Sequence, residues 1–439
     1  MRSTRPTRRG RVRRTGALCL TLFACVALTL ADGIPAATAL PQADSTTVTA
    51  EELRLDRPVP TEILSRSGFD TVAPAFAAAL QQAQSYAAAE TTVTQQGGAL
   101  WQRAVDRAQG KTPLTGDLSK EDDRPLYWAR LGMTRALRRW QPSFALSDAE
   151  RTTLLKKLET YSRGQDVMWF EPLPPNQPWK LHRVLLTGFD PFQLDSDIRN
   201  SNPSGSAALA FDGKLFLSSQ GHFFRVEAAT FPVRWRDFAD GMVEKTLAEP
   251  VSSPLRSADV FVTVSQGRVG RFDLERYNGA WRGGAPDNEN TASTGVVPVD
   301  DPSTQPQWSW STLGYPQILQ SAQGTFPVYS NTTVTEIPAG GTQAVSRQGP
   351  PSPGSAARAG GGGDFLSNEI AYRATLLRDR LGYDKPGGHV HTPVLQFGSG
   401  SAVTDATLVR NRQNIMDQLL KIIDIAVDAP AVCGKPSCP

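Results

Sequence analysis

An α/β fold, with a mostly parallel twisted sheet flanked by helices and a helical region ahead of it, is predicted by three features of the sequence. Residues 40–170 carry apolar side chains at three- and four-residue spacing with few strand signals. The segment Glu171-Pro172-Leu173-Pro174-Pro175-Asn176-Gln177-Pro178 then holds four prolines, which remove helix donors and favour extended chain. From about residue 181 short β-rich runs alternate with helical ones, the pattern of strands connected by crossover helices.

In chain order, the first feature is a leader. Arg2, Arg5, Arg8, Arg9, Arg11, Arg13 and Arg14 precede an apolar run from Ala17 to Ala31, and Ala37-Thr38-Ala39 offers small residues for cleavage. The run is shorter than the roughly 20 residues that span a bilayer. Residues 1–39 are therefore expected to be a secretory signal peptide, and the protein to be secreted. Removing their seven Arg and one acid turns a formal charge of +3 into −3, so the basic balance belongs to the leader and gives no ground for a nucleic-acid partner. No membrane association is expected after cleavage. Of four cysteines, Cys19 and Cys25 lie in the leader and only Cys433 and Cys438 remain. Their spacing suits a small local disulfide in an oxidising compartment; a metal pair is the rival reading, with no His nearby in sequence.

In the helical region Val72 to Ala89, Leu100 to Arg107 and Pro125 to Trp140 read as helices, and Ser147-Asp148-Ala149-Glu150 reads as a capping box opening a helix to Tyr161. Residues 171–180 read as an extended linker. In the domain 181–428, Val184 to Thr187, Phe224 to Val233, Val260 to Val264, Phe326 to Tyr329 and His389 to Leu395 read as strands, and Phe365 to Leu381 and Thr407 to Ala426 as helices. The Gly/Pro-rich stretch within 332–363 reads as an inserted, solvated surface loop, and residues 429–439 as a tail. Hydrophobic residues are 39% and charged residues 20% of the chain, a balance that supports a buried core.

Nucleophilic catalysis needs a nucleophile, a base within reach and a group that orients the base. Ser367 is expected at a helix start, where unpaired amides stabilise negative charge. His389 and His391 alternate on a strand and so share a face; taken alone, His391 is a structural histidine or half of a metal pair that lacks a third ligand. Glu275 alone reads as a surface charge.

Four motifs change that weighting: Thr187-Gly188-Phe189-Asp190-Pro191-Phe192 with Asn202-Pro203-Ser204; Gln266-Gly267 to Glu275-Arg276 with Pro286-Asp287-Asn288; Asp364-Phe365-Leu366-Ser367-Asn368-Glu369; and His389-Val390-His391-Thr392-Pro393. Together, in this order, they resemble pyroglutamyl peptidase I, the cysteine peptidase that removes N-terminal pyroglutamate. The resemblance covers roughly residues 182–427. It implies that Glu275 and His391 fall on the family's catalytic Glu and His, and that Ser367 stands where the family has its catalytic Cys. It further implies that Phe189, Phe192, Phe365, Leu366 and Gln266 contact a pyroglutamyl substrate, with no metal and no cofactor. Pyroglutamate is a small uncharged lactam, which calls for flat apolar walls and a few buried polar groups.

Two departures bear on activity. A thiol yields its thiolate beside an imidazolium, whereas a serine hydroxyl must be deprotonated during attack. The loop Ser265-Gln266-Gly267-Arg268-Val269-Gly270-Arg271 also differs from the family's Gly-Gln-Ala-Gly-Gly-Arg. Three functions follow: a secreted Ser-His-Glu hydrolase of peptides with N-terminal pyroglutamate, an inactive homologue that binds blocked N-termini, or a structural or protein-interaction protein.

Overall fold

The computed structural model describes residues 44–172, 180–253 and 255–432. Residues 1–39, expected as the leader, most of the proline-rich segment, and Cys433 and Cys438, expected as a disulfide, lie outside the described residues. No helix among those described is long and apolar enough to cross a membrane.

The helical region contains α1 (Pro58–Ser67), α2 (Val72–Gln81), α3 (Tyr86–Ala108), α4 (Arg124–Arg139) and α5 (Asp148–Tyr161). The expected capping box is present: Ser147 Oγ accepts from the Glu150 amide, and the Glu150 carboxylate accepts from the Ser147 amide. The single helix expected over Val72 to Ala89 is instead two, because the chain turns at Gln82–Gln84 and Ser85 caps α3 by accepting from the Ala88 amide. Phe76, Leu80, Val93, Leu100, Trp101, Met133, Leu137, Leu154 and Leu158 form the core of these helices, joined by Leu209 from the α/β region.

The main sheet contains β1 (Leu181–Phe189), β2 (Leu215–Leu217), β3 (Phe223–Phe231), β4 (Val260–Gln266), β5 (Phe272–Glu275), β6 (Val328–Asn331) and β7 (Gly387–Thr392), in the spatial order β6-β5-β7-β4-β1-β3-β2. β1 runs parallel to β3 and β4, β4 to β7, and β5 to β6; only β2/β3 and β5/β7 are antiparallel. Side chains alternate between the faces. Val184, Leu186, Val262 and Val390 face α6 (Pro203–Phe211), α8 (Tyr315–Ser321) and α10 (Ala406–Asp428). Leu185, Phe231 and Phe261 face α7 (Met242–Ser252) and α9 (Leu366–Arg380). The chain leaves β1 for β3 on one side and reaches β4 on the other, so the crevice where α/β sheets collect ligands lies beyond the carboxyl ends of β1 and β4.

The expectation of a solvated loop over 332–363 holds for 339–344 and is corrected for the rest. Val334–Ile337, Val345–Arg347 and Ala356–Ala359 form a three-stranded antiparallel sheet, and Val334 and Ala357 pack with Tyr277 and Trp308. Its small residues divide: 339–344 are exposed as a surface loop requires, whereas Gly360 and Gly361 are buried.

The helical and α/β regions share a buried ionic seam. Asp190, in the loop after β1, accepts from Arg130 at 2.5 Å and from Arg163 at 2.7 Å. Arg163 also pairs with Glu159, whose other oxygen accepts from Arg234; Arg234 in turn reaches Glu51. Burial pushes the Glu159 carboxyl up, but Arg234, Arg163 and Arg130 outweigh it and hold the group well below the ordinary range.

Candidate functional site

The site is set by strand pairing. β7 pairs antiparallel with β5, matching His389 with Glu275 and His391 with Asp273, so all four side chains project from one face. His391 Nδ1 lies 2.7 Å from Glu275 Oε1, and the residues are 6% and 1% exposed. Glu275 Oε2 accepts from Asn331 Nδ2 at 2.9 Å, and the same amide donates to Gly361 O at 2.8 Å. Both carboxylate oxygens are thus held, which fixes the imidazole through Nδ1. His391 Nε2 makes no hydrogen bond among the described residues.

His389 is excluded from this chemistry. It is fully buried, with Nδ1 2.8 Å from Thr263 Oγ1 and Nε2 2.8 Å from Ser265 Oγ. Burial, reinforced by the neighbouring His391, pushes it well below the usual imidazole range. It is a neutral brace, and both its nitrogens are occupied.

Ser367 is the second residue of α9, after the extended N-cap Phe365, within the turn whose amides have no intrahelical acceptor. Asn368 anchors that turn: its side chain accepts from the Gly279 amide at 2.9 Å and donates to the Gly279 carbonyl at 2.8 Å. Beneath it, Glu369 receives a two-point contact from Arg282 and a third from Arg373, all three groups being buried. The glycine segment fills the gap between this turn and His391. A Cβ on Gly361 would stand 2.2 Å from Glu275 Oε2, and one on Gly362 would stand 3.2 Å from His391 Cε1 and 3.4 Å from the Asn368 amide nitrogen. Ser367 and His391 therefore flank one glycine. The Ser367 hydroxyl donates to Gly362 O at 3.0 Å, and no hydrogen bond joins it to His391.

The apolar side is closed. Phe192 and Phe365, both half-buried, stack with centroids 5.0 Å apart, and Trp235 meets Phe365 edge-on at 4.9 Å. A flat ring between two others needs about 7 Å, twice the van der Waals contact, so no lactam fits between Phe192 and Phe365 as they stand. Phe189 and Leu366, expected as substrate contacts, are 3% and 1% exposed and belong to the core, Phe189 stacking on Phe238. Gln266 ends β4, half-buried, beside Thr392. In the altered loop, Arg268 and Arg271 each reach the buried Asp273 at 3.1 Å.

Two family profiles match the chain: the PA0049 N-terminal domain over residues 35–159, and the PA0049 C-terminal domain over 183–325 and 292–396. The uncharacterized protein PA0049 of Pseudomonas aeruginosa is 34% identical over 445 residues, spanning 79% of this chain and 80% of that protein. The chain belongs to the PA0049 family. The chain is also similar to solved structures: a mutant pyrrolidone carboxyl peptidase of Pyrococcus furiosus (21% identity, 56% of this chain and 98% of that one, TM-score 0.39) and pyroglutamyl peptidase I of Bacillus amyloliquefaciens (19%, 58% and 98%, TM-score 0.38).

In this PA0049-family chain the motif residues that do not reach the site hold it in place. Asn202 caps α6, and Ser204 Oγ accepts from the Phe189 amide at 3.0 Å; Asn288 donates to Pro191 O at 2.9 Å. Sequence reasoning missed Asn331. An Asn closing a short strand ahead of a glycine-rich stretch was its one signal.

Proposed function

We propose that the protein is an exported hydrolase of peptides blocked by N-terminal pyroglutamate, with Ser367 as nucleophile, His391 as base and Glu275 as the group that orients it. The buried His391–Glu275 contact of 2.7 Å supports this reading most: a carboxylate on Nδ1 fixes the tautomer in which Nε2 can accept a proton. In the reaction His391 Nε2 takes the Ser367 proton as Oγ attacks the pyroglutamyl carbonyl. The amides at the start of α9 stabilise the oxyanion. His391 returns the proton to the departing amine, and water then hydrolyses the acyl-enzyme by the same steps. Phe192, half-buried, swings away from Phe365 to admit the lactam, and Ser367 leaves Gly362 O for His391.

A second reading, a protein that binds blocked N-termini without turnover, is favoured by the Ser367 hydroxyl donating to Gly362 O rather than to His391. Hydrolysis of a fluorogenic pyroglutamyl amide by the purified protein, beside Ser367→Ala and Ser367→Cys, separates the two. The hydrolase reading expects activity in the parent that vanishes in Ser367→Ala. A silent parent with an active Ser367→Cys establishes the binder, and silence in all three overturns both.

A further inference from the structure

Two of the four histidines lie at the opposite end of the sheet from His391. His182 is the second residue of β1, whose carboxyl end carries the first motif loop, and His222 precedes the parallel β3 at the same edge. His182 is six residues before Gly188, about 20 Å along the strand. Asp428, the last residue of α10, meets both: its Oδ1 lies 2.6 Å from His222 Nδ1 and 3.5 Å from His182 Nε2. One ligand atom from each of the three residues lies within 4.8 Å of the others.

His182 points to a ligand. It is 5% exposed, and its Nε2 is buried without a hydrogen-bond partner while aimed at a carboxylate. An unmatched imidazole nitrogen so placed costs free energy unless something binds it. The carboxylate is braced from outside by Ser218 Oγ, which donates to Asp428 Oδ2 at 2.8 Å, as carboxylate ligands commonly are. The carbonyl end of α10 and Asp259 add favourable potential for a cation, against Lys180. His222, with a 40% exposed side chain, leaves the cluster open to solvent on one side.

We propose that His182, His222 and Asp428 form a site for a zinc-class divalent cation that ties the start of β1, the β2–β3 turn and the end of α10. Two imidazoles and one carboxylate suit Zn²⁺ rather than Ca²⁺ or Mg²⁺, and leave a fourth position for water. The metal takes the place of the proton between His222 and Asp428.

The test is calorimetric titration of the chelator-treated full chain with zinc chloride, together with Co²⁺ absorption and thermal unfolding with and without metal. One ion per chain, a tetrahedral Co²⁺ spectrum, and a rise in Tm of about 2–5 °C at saturating zinc are expected. His222→Ala, at the exposed position, should weaken binding on the order of 100-fold, and Asp428→Asn likewise. Cys433→Ser/Cys438→Ser should leave binding intact. Zinc binding that survives in His222→Ala but disappears in the double cysteine variant would overturn the proposal, as would no binding by the parent.

Discussion

The polar and apolar halves of the candidate site are made in different ways. His391, Glu275 and Asn331 stand on strand ends, and their meeting follows from the antiparallel register of β5 with β7 and the parallel register of β5 with β6. Phe192 and Phe365 come from a loop and from a helix N-cap, and they meet because nothing separates them. Backbone pairing fixes the first half to within a rotamer, whereas two aromatic rings define the second and can part at the cost of one stacking contact, about 1 kcal/mol. The part that would perform proton transfer is rigid, and the part that would select a substrate is adjustable.

The largest expected effect comes from breaking the rigid half. Glu275→Gln should lower kcat for a pyroglutamyl amide by about 10³- to 10⁴-fold with KM little changed, because the imidazole loses its tautomer; a KM effect alone would mean that the pair serves binding. Next is the base of α9. Arg282→Met leaves the buried Glu369 with Arg373 as its remaining ionic partner, and should destabilise the fold by about 3–5 kcal/mol in urea unfolding. An effect below 1 kcal/mol would show that the turn carrying Ser367 does not depend on that network.

The adjustable half should respond more mildly. Phe192→Ala removes one ring of a half-buried stack, so KM should change by about tenfold while kcat stays within a few-fold. A collapse of kcat would transfer Phe192 to the rigid half. The smallest effect belongs to Asp364, between the halves, whose carboxyl lies against Gly283 and is pushed up by burial. A carboxyl raised in the folded state binds its proton more tightly there than in the unfolded chain. Its stabilising contribution is thus complete at low pH and is lost as pH climbs through the raised value. Asp364→Asn should flatten that fall and raise stability at pH 8 by less than about 1 kcal/mol after solvent screening, read from unfolding curves at pH 4 and 8.

Five of the seven strands of the main sheet, with α4, α5, α9 and α10, were legible because their periodicity is local; the short β2 and β5 and the continuous α3 were not read. Helix limits at Ser147, the end of α9 and the start of α10 fall within a residue or two of expectation, since capping and apolar spacing state them directly. His391 and Glu275 were legible as a pair only through motif resemblance, because 116 residues separate them and no spacing rule connects two strands of a sheet. Within 332–363 the three strands and the buried glycines were not legible, since glycine, serine and proline signal turns when viewed locally; at Gly360–Gly362 the missing side chains let the segment lie against Glu275, His391 and Asn368. Phe189 and Leu366 were expected as substrate contacts through the motif resemblance, and a motif does not distinguish a side chain that lines a cleft from one that fills a core.

The seam through Asp190 makes the α/β half depend on the helical one. Both cations that reach Asp190, Arg130 and Arg163, come from the helical region, whereas Arg234 also pairs with its near neighbour Asp237. Replacing one of the two leaves the buried Asp190 with a single cation, the kind of loss that costs about 3–5 kcal/mol. A fragment that begins at β1 would lack both cations that hold the loop carrying Phe192.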